Sequence, residues 1–257
     1  MPDIDITFND EQLLHYSRQI MLPHFGVEGQ QKLQNAHVAI IGIGGLGSPA
    51  AMYLAASGVG TLTLVDFDTV DNSNLQRQVV HHTSSIGSNK ANSAKKTLLG
   101  INPETTIHCI NKKLKLEELN SIISDVDCVI DATDNFATRF LINRACVSQH
   151  TALISAAAIQ YEGQISVFDL SNENSACYAC LYPENTEHEE ENTSCSENGI
   201  LAPVVGVLGS MQALEAIKLI CNIGETLQNR LLIFDALGLQ WRTMKLNKDL
   251  NCPVCNK

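Results

Sequence analysis

Positive charge is scarce in this chain of 257 residues: 17 Lys and Arg stand against 28 Asp and Glu, a formal charge of −11. A protein that binds duplexes or anionic membranes needs basic groups to displace phosphate counterions, so neither nucleic-acid nor membrane binding fits. Low-complexity tracts are absent and 44% of the residues are hydrophobic, which excludes wholesale disorder. The opening residues MPDIDITFNDEQ lack the basic and then apolar stretches of a secretory leader. Unbroken apolar runs are missing too. Residues 38–65 carry no charge, but Gly42, Gly44, Gly45, Gly47, Pro49, Gly58 and Gly60 punctuate them into strand, turn, helix and strand. These absences lead us to expect a soluble, cytoplasmic protein.

What is present is an alternation of apolar runs and amphipathic stretches. Strands are expected at 38–41, 62–66, 107–110, 127–132, 152–155, 164–168 and 231–234. Helices are expected at 10–22, capped by Asn9 or Asp10, and at 46–57, 88–99, 116–124, 135–150 and 202–220. Strands alternating with helices of this length imply a Rossmann-like, doubly wound α/β fold with a mainly parallel sheet. No linker or repeat divides it, so we expect one domain over 1–257. Its nucleotide-binding half would cover about 10–150, and the rest about 151–257. The glutamate-rich stretch 184–198 reads as an exposed loop.

GIGGLG, residues 42–47, follows the strand VAII and opens a helix. Glycines there let the backbone approach a phosphate, and the helix amino terminus attracts its charge. Asp66 ends the next strand, where an acidic residue grips a ribose hydroxyl. Arg77 and Lys90 stand out in a charge-poor region, and two cations suit a triphosphate better than a nicotinamide. Either Asp131 or Asp134, at the end of the DCVIDA strand, can ligate Mg²⁺ beside those phosphates; Asp134 can instead cap the helix that follows.

Nine cysteines include two Cys-x-x-Cys pairs, Cys177/Cys180 and Cys252/Cys255. Four thiolates in two such knuckles suit a closed, structural Zn²⁺ site. Cys109, Cys128, Cys146 and Cys221 lie in apolar or helical patterns and are expected to pack. Cys195 stands apart in TSCSENG, where surrounding glutamates raise a thiol's pKa and work against reactivity.

Arg18-Gln19-Ile20, Gly29-Gln30, GIGGLGSPAA, DFDTVDNSNLQRQ, GSNK, DATDN, the two Cys-x-x-Cys pairs and GVLGSMQALEAIK occur in one order. In these motifs, from about Tyr16 to Cys255, the chain resembles the ThiF/MoeB family, bacterial relatives of ubiquitin-activating enzymes. The resemblance implies adenylation of the carboxyl-terminal Gly-Gly of a ubiquitin-fold sulfur carrier, with ATP and Mg²⁺. It further implies a nucleotide site of Gly45, Asp66, Ser73, Asn74, Leu75, Gln76, Arg77, Lys90, Asp134 and Asn135. Arg18 resembles an arginine inserted from a partner subunit, so a homodimer is expected. Cys195 aligns with a cysteine that some members join to the carrier in an acyl disulfide, and nucleophile and bystander both stay open. A sulfurtransferase or cysteine desulfurase is the further partner implied.

Which carrier is served also stays open. AAIQYEGQISVF, GSMQA and MKL look nearer the members serving molybdopterin synthase, while TSCSENG and LYPEN look nearer the thiamine-pathway members. Two rival classes remain: a nicotinamide oxidoreductase, which the glycine turn alone permits, and a non-catalytic scaffold for a ubiquitin-like partner.

Overall fold

Strand β1 (His37–Ile41) is buried over its last four residues, and the sheet grows outward from it on both sides. It is seen in a computed structural model that describes residues 8–184 and 199–256. Strands β2 (Thr61–Val65) and β4 (Cys128–Asp131) flank β1 in parallel, Ile41 lying opposite Val65 and Asp131. Outside them, also parallel, lie β3 (Thr106–Ile110) and β5 (Ala152–Ile159). Beyond β5 the pairing turns antiparallel through β6 (Glu162–Phe168), β7 (Arg230–Asp235) and β8 (Gln240–Lys245). The order is therefore β3-β2-β1-β4-β5-β6-β7-β8 in one sheet. Connections leave β1 in opposite directions, so a crevice opens between β1 and β4 where ligands of such folds sit.

Alternation along β1 sends Val38 and Ile40 to one face and Ala39 and Ile41 to the other, each into its own core. The first core collects α4 (Gly47–Ala56), α5 (Lys90–Ile101) and α9 (Ala202–Cys221), with Leu54, Leu98 and Leu208 fully buried. The second collects α6 (Leu116–Ile123) and α7 (Phe136–Gln149) through Leu119 and Ile142. Burying each such side chain contributes roughly 1.5–3 kcal/mol. Helix α9 is long and apolar enough by composition to cross a membrane, but it lies against α4, β5 and β6 within the fold.

Element boundaries differ from expectation by a residue or two except in five places. Residues 10–22 form two short helices, α1 (Asp10–His15) and α2 (Ser17–Ile20), with Asn9 as the cap. Tyr16 breaks them, turning inward so that its hydroxyl accepts from Asn102 Nδ2 at 2.8 Å. A helix that the pattern does not reveal, α3 (Gly26–Asn35), packs on α9; two glycines mask its periodicity. Strand β8 also escapes the pattern, because all six of its residues are exposed and no alternation marks it. The 152–155 strand runs on to Ile159, into the hairpin with β6. A short α8 (Tyr178–Leu181) holds Cys180, with Cys177 at its N-cap.

Candidate functional site

The glycine turn is shaped by close contacts that only glycine permits. Gly42 sits at φ +91°, and a Cβ there would lie 2.7 Å from the Ala132 carbonyl oxygen. A Cβ on Gly47 would lie 1.9 Å from the Gly42 oxygen. The Ile43 peptide between them is held from both sides. Its N–H donates to Asp66 Oδ2 at 2.7 Å, and its carbonyl lies 3.0 Å from His81 Nε2, which must carry the proton. Burial raises the pKa of Asp66 and lowers that of His81. A neutral His81 therefore keeps Nδ1 free to accept from Ser93 Oγ at 2.9 Å.

Over this turn opens a cleft of about 320 Å³ at the carboxyl ends of β1, β2 and β4. Six expected site residues line it: Gly45, Asp66, Arg77, Lys90, Asp134 and Asn135. Lys90 begins α5 and is buried, its Nζ 2.9 Å from Asp68 Oδ2. Arg77 is steadied by the Ser73 carbonyl, which accepts from Nη1 at 3.1 Å. Both cations thus face the space above the glycine turn.

Ser73, Asn74, Leu75 and Gln76 do not line the cleft themselves. They form the turn that delivers Arg77 and Gln78: Ser73 Oγ donates to Asp71 at 2.6 Å, and Asn74 Oδ1 accepts the Asp71 N–H at 3.2 Å. Arg18, on α2, is exposed and outside the cleft of its own chain. Cys195 and the rest of 185–198 lie outside the described residues.

The two aspartates differ in their neighbours. Asp131 is fully buried and committed, accepting from the Thr133 amide and hydroxyl and from Ser155 Oγ at 2.7–3.0 Å. Asp134 is exposed on the cleft wall, and the α7 cap is Asn135, whose Oδ1 accepts the Thr138 N–H at 2.9 Å. The helix-cap role expected for Asp134 therefore falls to Asn135. Asp134 accepts one long hydrogen bond, from Asn135 Nδ2 at 3.4 Å, and is otherwise exposed on the cleft wall.

Sequence reasoning missed Asp68, Gln78, Lys112, Lys113 and Arg139 on the cleft wall, and the apolar Ile200 and Val205 from the second half. A signal existed for two: Lys112 and Lys113 immediately follow β3, at the same sheet edge as Asp66. Arg139 is buried, with Nη2 donating to the Thr133 carbonyl, and Asp131 holds its charge in place.

Cys177, Cys180, Cys252 and Cys255 come together with all four sulfurs within 4.8 Å of one another. Neighbouring sulfurs are 3.5–3.9 Å apart. That is too long for disulfides, and it matches the roughly 3.8 Å between tetrahedral ligands each about 2.3 Å from Zn²⁺. The hydrogen bond between Cys177 and Cys180 lowers the pKa of Cys180 and raises that of Cys177, and burial raises that of Cys255. Asn143 on α7 supports the knuckle, its Nδ2 donating to Cys177 Sγ and its Oδ1 accepting the Tyr178 N–H. Of the cysteines expected to pack, Cys128, Cys146 and Cys221 are buried and Cys109 half-buried.

A switch-point cleft over a glycine turn, with cations on its wall, defines a nucleotide-binding protein of the doubly wound class. Within that class the chain belongs to the ThiF family, whose sequence profile matches residues 16–254. It is 43% identical over 249 residues to the molybdopterin-synthase adenylyltransferase of Salmonella typhimurium, covering 97% of this chain and 98% of that one. Identity is 45% over 247 residues to the sulfur carrier protein ThiS adenylyltransferase of Escherichia coli, covering 96% of each chain. It is 44% over 248 residues to the adenylyltransferase and sulfurtransferase MOCS3 of Drosophila yakuba, covering 96% of this chain. The chain spans only 54% of that protein, about half its length. Crystal structures of E. coli MccB superpose closely. One with MccA-N7isoASN gives a TM-score of 0.85 at 26% identity, over 97% of this chain and 76% of that one. One with ATP gives 0.82 at 27% identity, over 96% and 75%.

Proposed function

We propose that this chain adenylates the carboxyl-terminal glycine of a small ubiquitin-fold sulfur carrier. The observation that carries this reading is the convergence of Arg77, Lys90 and the exposed Asp134 on one cleft above the glycine turn. A nicotinamide cofactor needs no such set. The carrier's carboxylate attacks the α-phosphorus of ATP; the new bond is acyl to phosphate, and the bond to pyrophosphate breaks. No protein base is required, because a carboxylate is already ionised near neutral pH. Catalysis is then positioning and stabilisation of charge. Lys90 and Arg77 meet the charge developing on the transferring and departing phosphates, Asp66 faces the ribose, and Asp134 would hold Mg²⁺. That ion, when bound, neutralises phosphate charge.

The four-thiol knuckle fits Zn²⁺ as a structural ion, and its reduced thiols suit the cytoplasm. Ile200 and Val205 supply an apolar wall by which a glycine tail can enter. The carrier favoured by AAIQYEGQISVF, GSMQA and MKL is the small subunit of molybdopterin synthase. Carrier-dependent exchange of labelled pyrophosphate into ATP tests the reaction, and hydride transfer to NAD without exchange would replace it with the oxidoreductase reading.

Arg18 is assigned to the neighbouring subunit of a homodimer. Its exposure fits this, as does the apolar surface around it: Leu14 is 77% exposed, Met21 73% and Leu22 53%. Mixing Arg18→Ala with Lys90→Ala is then expected to restore part of the activity, because a mixed dimer holds one site with both cations. No recovery, with subunit exchange verified by native mass spectrometry, would return Arg18 to a local role.

A further inference from the structure

Helix α2 carries Arg18 but buries none of its four residues, and α1 before it buries none either. Helices this short are marginal by themselves, so burial of α2 does not set where Arg18 points. Polar links do. The motifs Arg18-Gln19-Ile20 and Gly29-Gln30 meet in space: Gln19 Nε2 donates to Gln30 Oε1 at 2.7 Å. Both glutamines then close on one atom, the carbonyl oxygen of Ser57, each Nε2 donating to it at 3.0 Å. Ser57 is the C-cap of α4, where carbonyls have no partner within the helix. Tyr16, on the other side of Arg18, makes a matching link. Its hydroxyl accepts from Asn102 Nδ2, which also donates to the Ala55 carbonyl at 2.9 Å.

The fit at this junction is close. Gln30 is fully buried with both ends of its carboxamide engaged. Gly58 sits at φ +86°, and a Cβ there would lie 2.5 Å from Gln30 Nε2 and 2.8 Å from Tyr16 Cε1. Glycine at 58 is therefore what lets both side chains reach the end of α4. Hydrogen bonds are directional, so a buried, fully paired carboxamide locates its partners more sharply than an apolar contact does. Helix α4 thus has the glycine turn at its start and, at its end, the anchor of the helix that presents Arg18. We infer that Gln30 is a positioning residue for the reaction: through Gln19 it fixes α2 on the end of α4, and so aims Arg18 at the nucleotide of the neighbouring subunit. This rests on the assignment of Arg18 to a partner's site.

Gln30→Met keeps the length of the side chain and cuts both hydrogen bonds. Pyrophosphate exchange, with a ubiquitin-fold carrier ending in Gly-Gly as probe, is expected to fall in kcat by about 10²-fold, the cost of displacing a reacting group by about an ångström. Two readouts separate aiming from folding. In an Arg18→Ala background the same change should cost nothing further, since no guanidinium is left to aim; a purely structural role would cost about the same factor in both backgrounds. Gln30→Met mixed with Lys90→Ala should also regain activity, because the mixed dimer holds one site with Lys90 intact and Arg18 supplied from a chain with Gln30 intact. Damage passed along α4 to the glycine turn of the same chain would leave that site dead. Gln19→Met, at a half-buried position, cuts the link from the other side and should give the same pattern if Gln30→Met melts below the assay temperature. Recovery in the mixture of Arg18→Ala with Lys90→Ala, but not in that of Gln30→Met with Lys90→Ala, would overturn this assignment alone. So would a full additional loss in the Arg18→Ala background. No recovery in the Arg18→Ala mixture, with subunit exchange verified, would remove the shared site itself and this inference with it.

Discussion

Lys90→Ala is expected to lower carrier-dependent pyrophosphate exchange by about 10²–10³-fold, the usual loss when a preorganised group facing transition-state charge is removed. Lys90 is buried at the start of α5, and its one salt-bridge partner among the described residues is Asp68, whose side chain is 52% exposed. Deleting the ammonium therefore leaves a carboxylate that water can solvate, so the fold should survive. Ala is also a good residue at the first helical position, where Asn89 continues to cap by accepting the Asn92 N–H. Most of the loss should fall on kcat, because the charge Lys90 meets grows as pyrophosphate departs. Steady-state exchange with a parallel melting curve checks this. A variant within a few-fold of wild type would take Lys90 out of the reaction.

The second large effect concerns stability. With zinc in the four-thiol site, as proposed, Cys252→Ser is expected to lose the metal and lower the melting temperature by on the order of 10 °C, given metal-site energies of many kcal/mol and the usual conversion for a chain of this size. The four sulfurs join α8 to the segment after β8, elements far apart in sequence. Closing so long a loop costs entropy that a bound metal would offset. β8 itself is exposed over all six residues and brings little core of its own, so the end of the chain depends on the knuckle. Elemental analysis beside differential scanning calorimetry reads both quantities. An unchanged melt with no zinc in the wild type would remove the site.

How much of this was legible in the sequence depends on whether the signal was local. The strand VAII, the turn GIGGLG and the following helix were legible because packing and phosphate approach act on adjacent residues. The thiol pairs were legible because two ligands on one short turn have a fixed spacing. Apart from the resemblance, the residues left Asp131 and Asp134 as equals, since the contacts that engage Asp131 come from Thr133 and Ser155, and Ser155 arrives only when β5 pairs with β4. The link between Gln19 and Gln30 was not legible, because it closes on the Ser57 carbonyl, 38 and 27 residues away, only in the assembled fold. Asp68 was invisible as the partner of Lys90 for the same reason: 22 residues separate them. The motifs mark the glycine turn and the thiol pairs, and tertiary contacts set the surroundings of each side chain.

The central claim is that the chain transfers AMP to the carboxyl terminus of a ubiquitin-fold carrier. Intact-mass spectrometry of the carrier, incubated with the protein, ATP and Mg²⁺, reads that event directly. The account predicts a carrier heavier by one adenylyl group, formed with release of pyrophosphate, and absent when the terminal glycine is deleted. A carrier of unchanged mass, under conditions where the protein is folded and binds ATP, would contradict it.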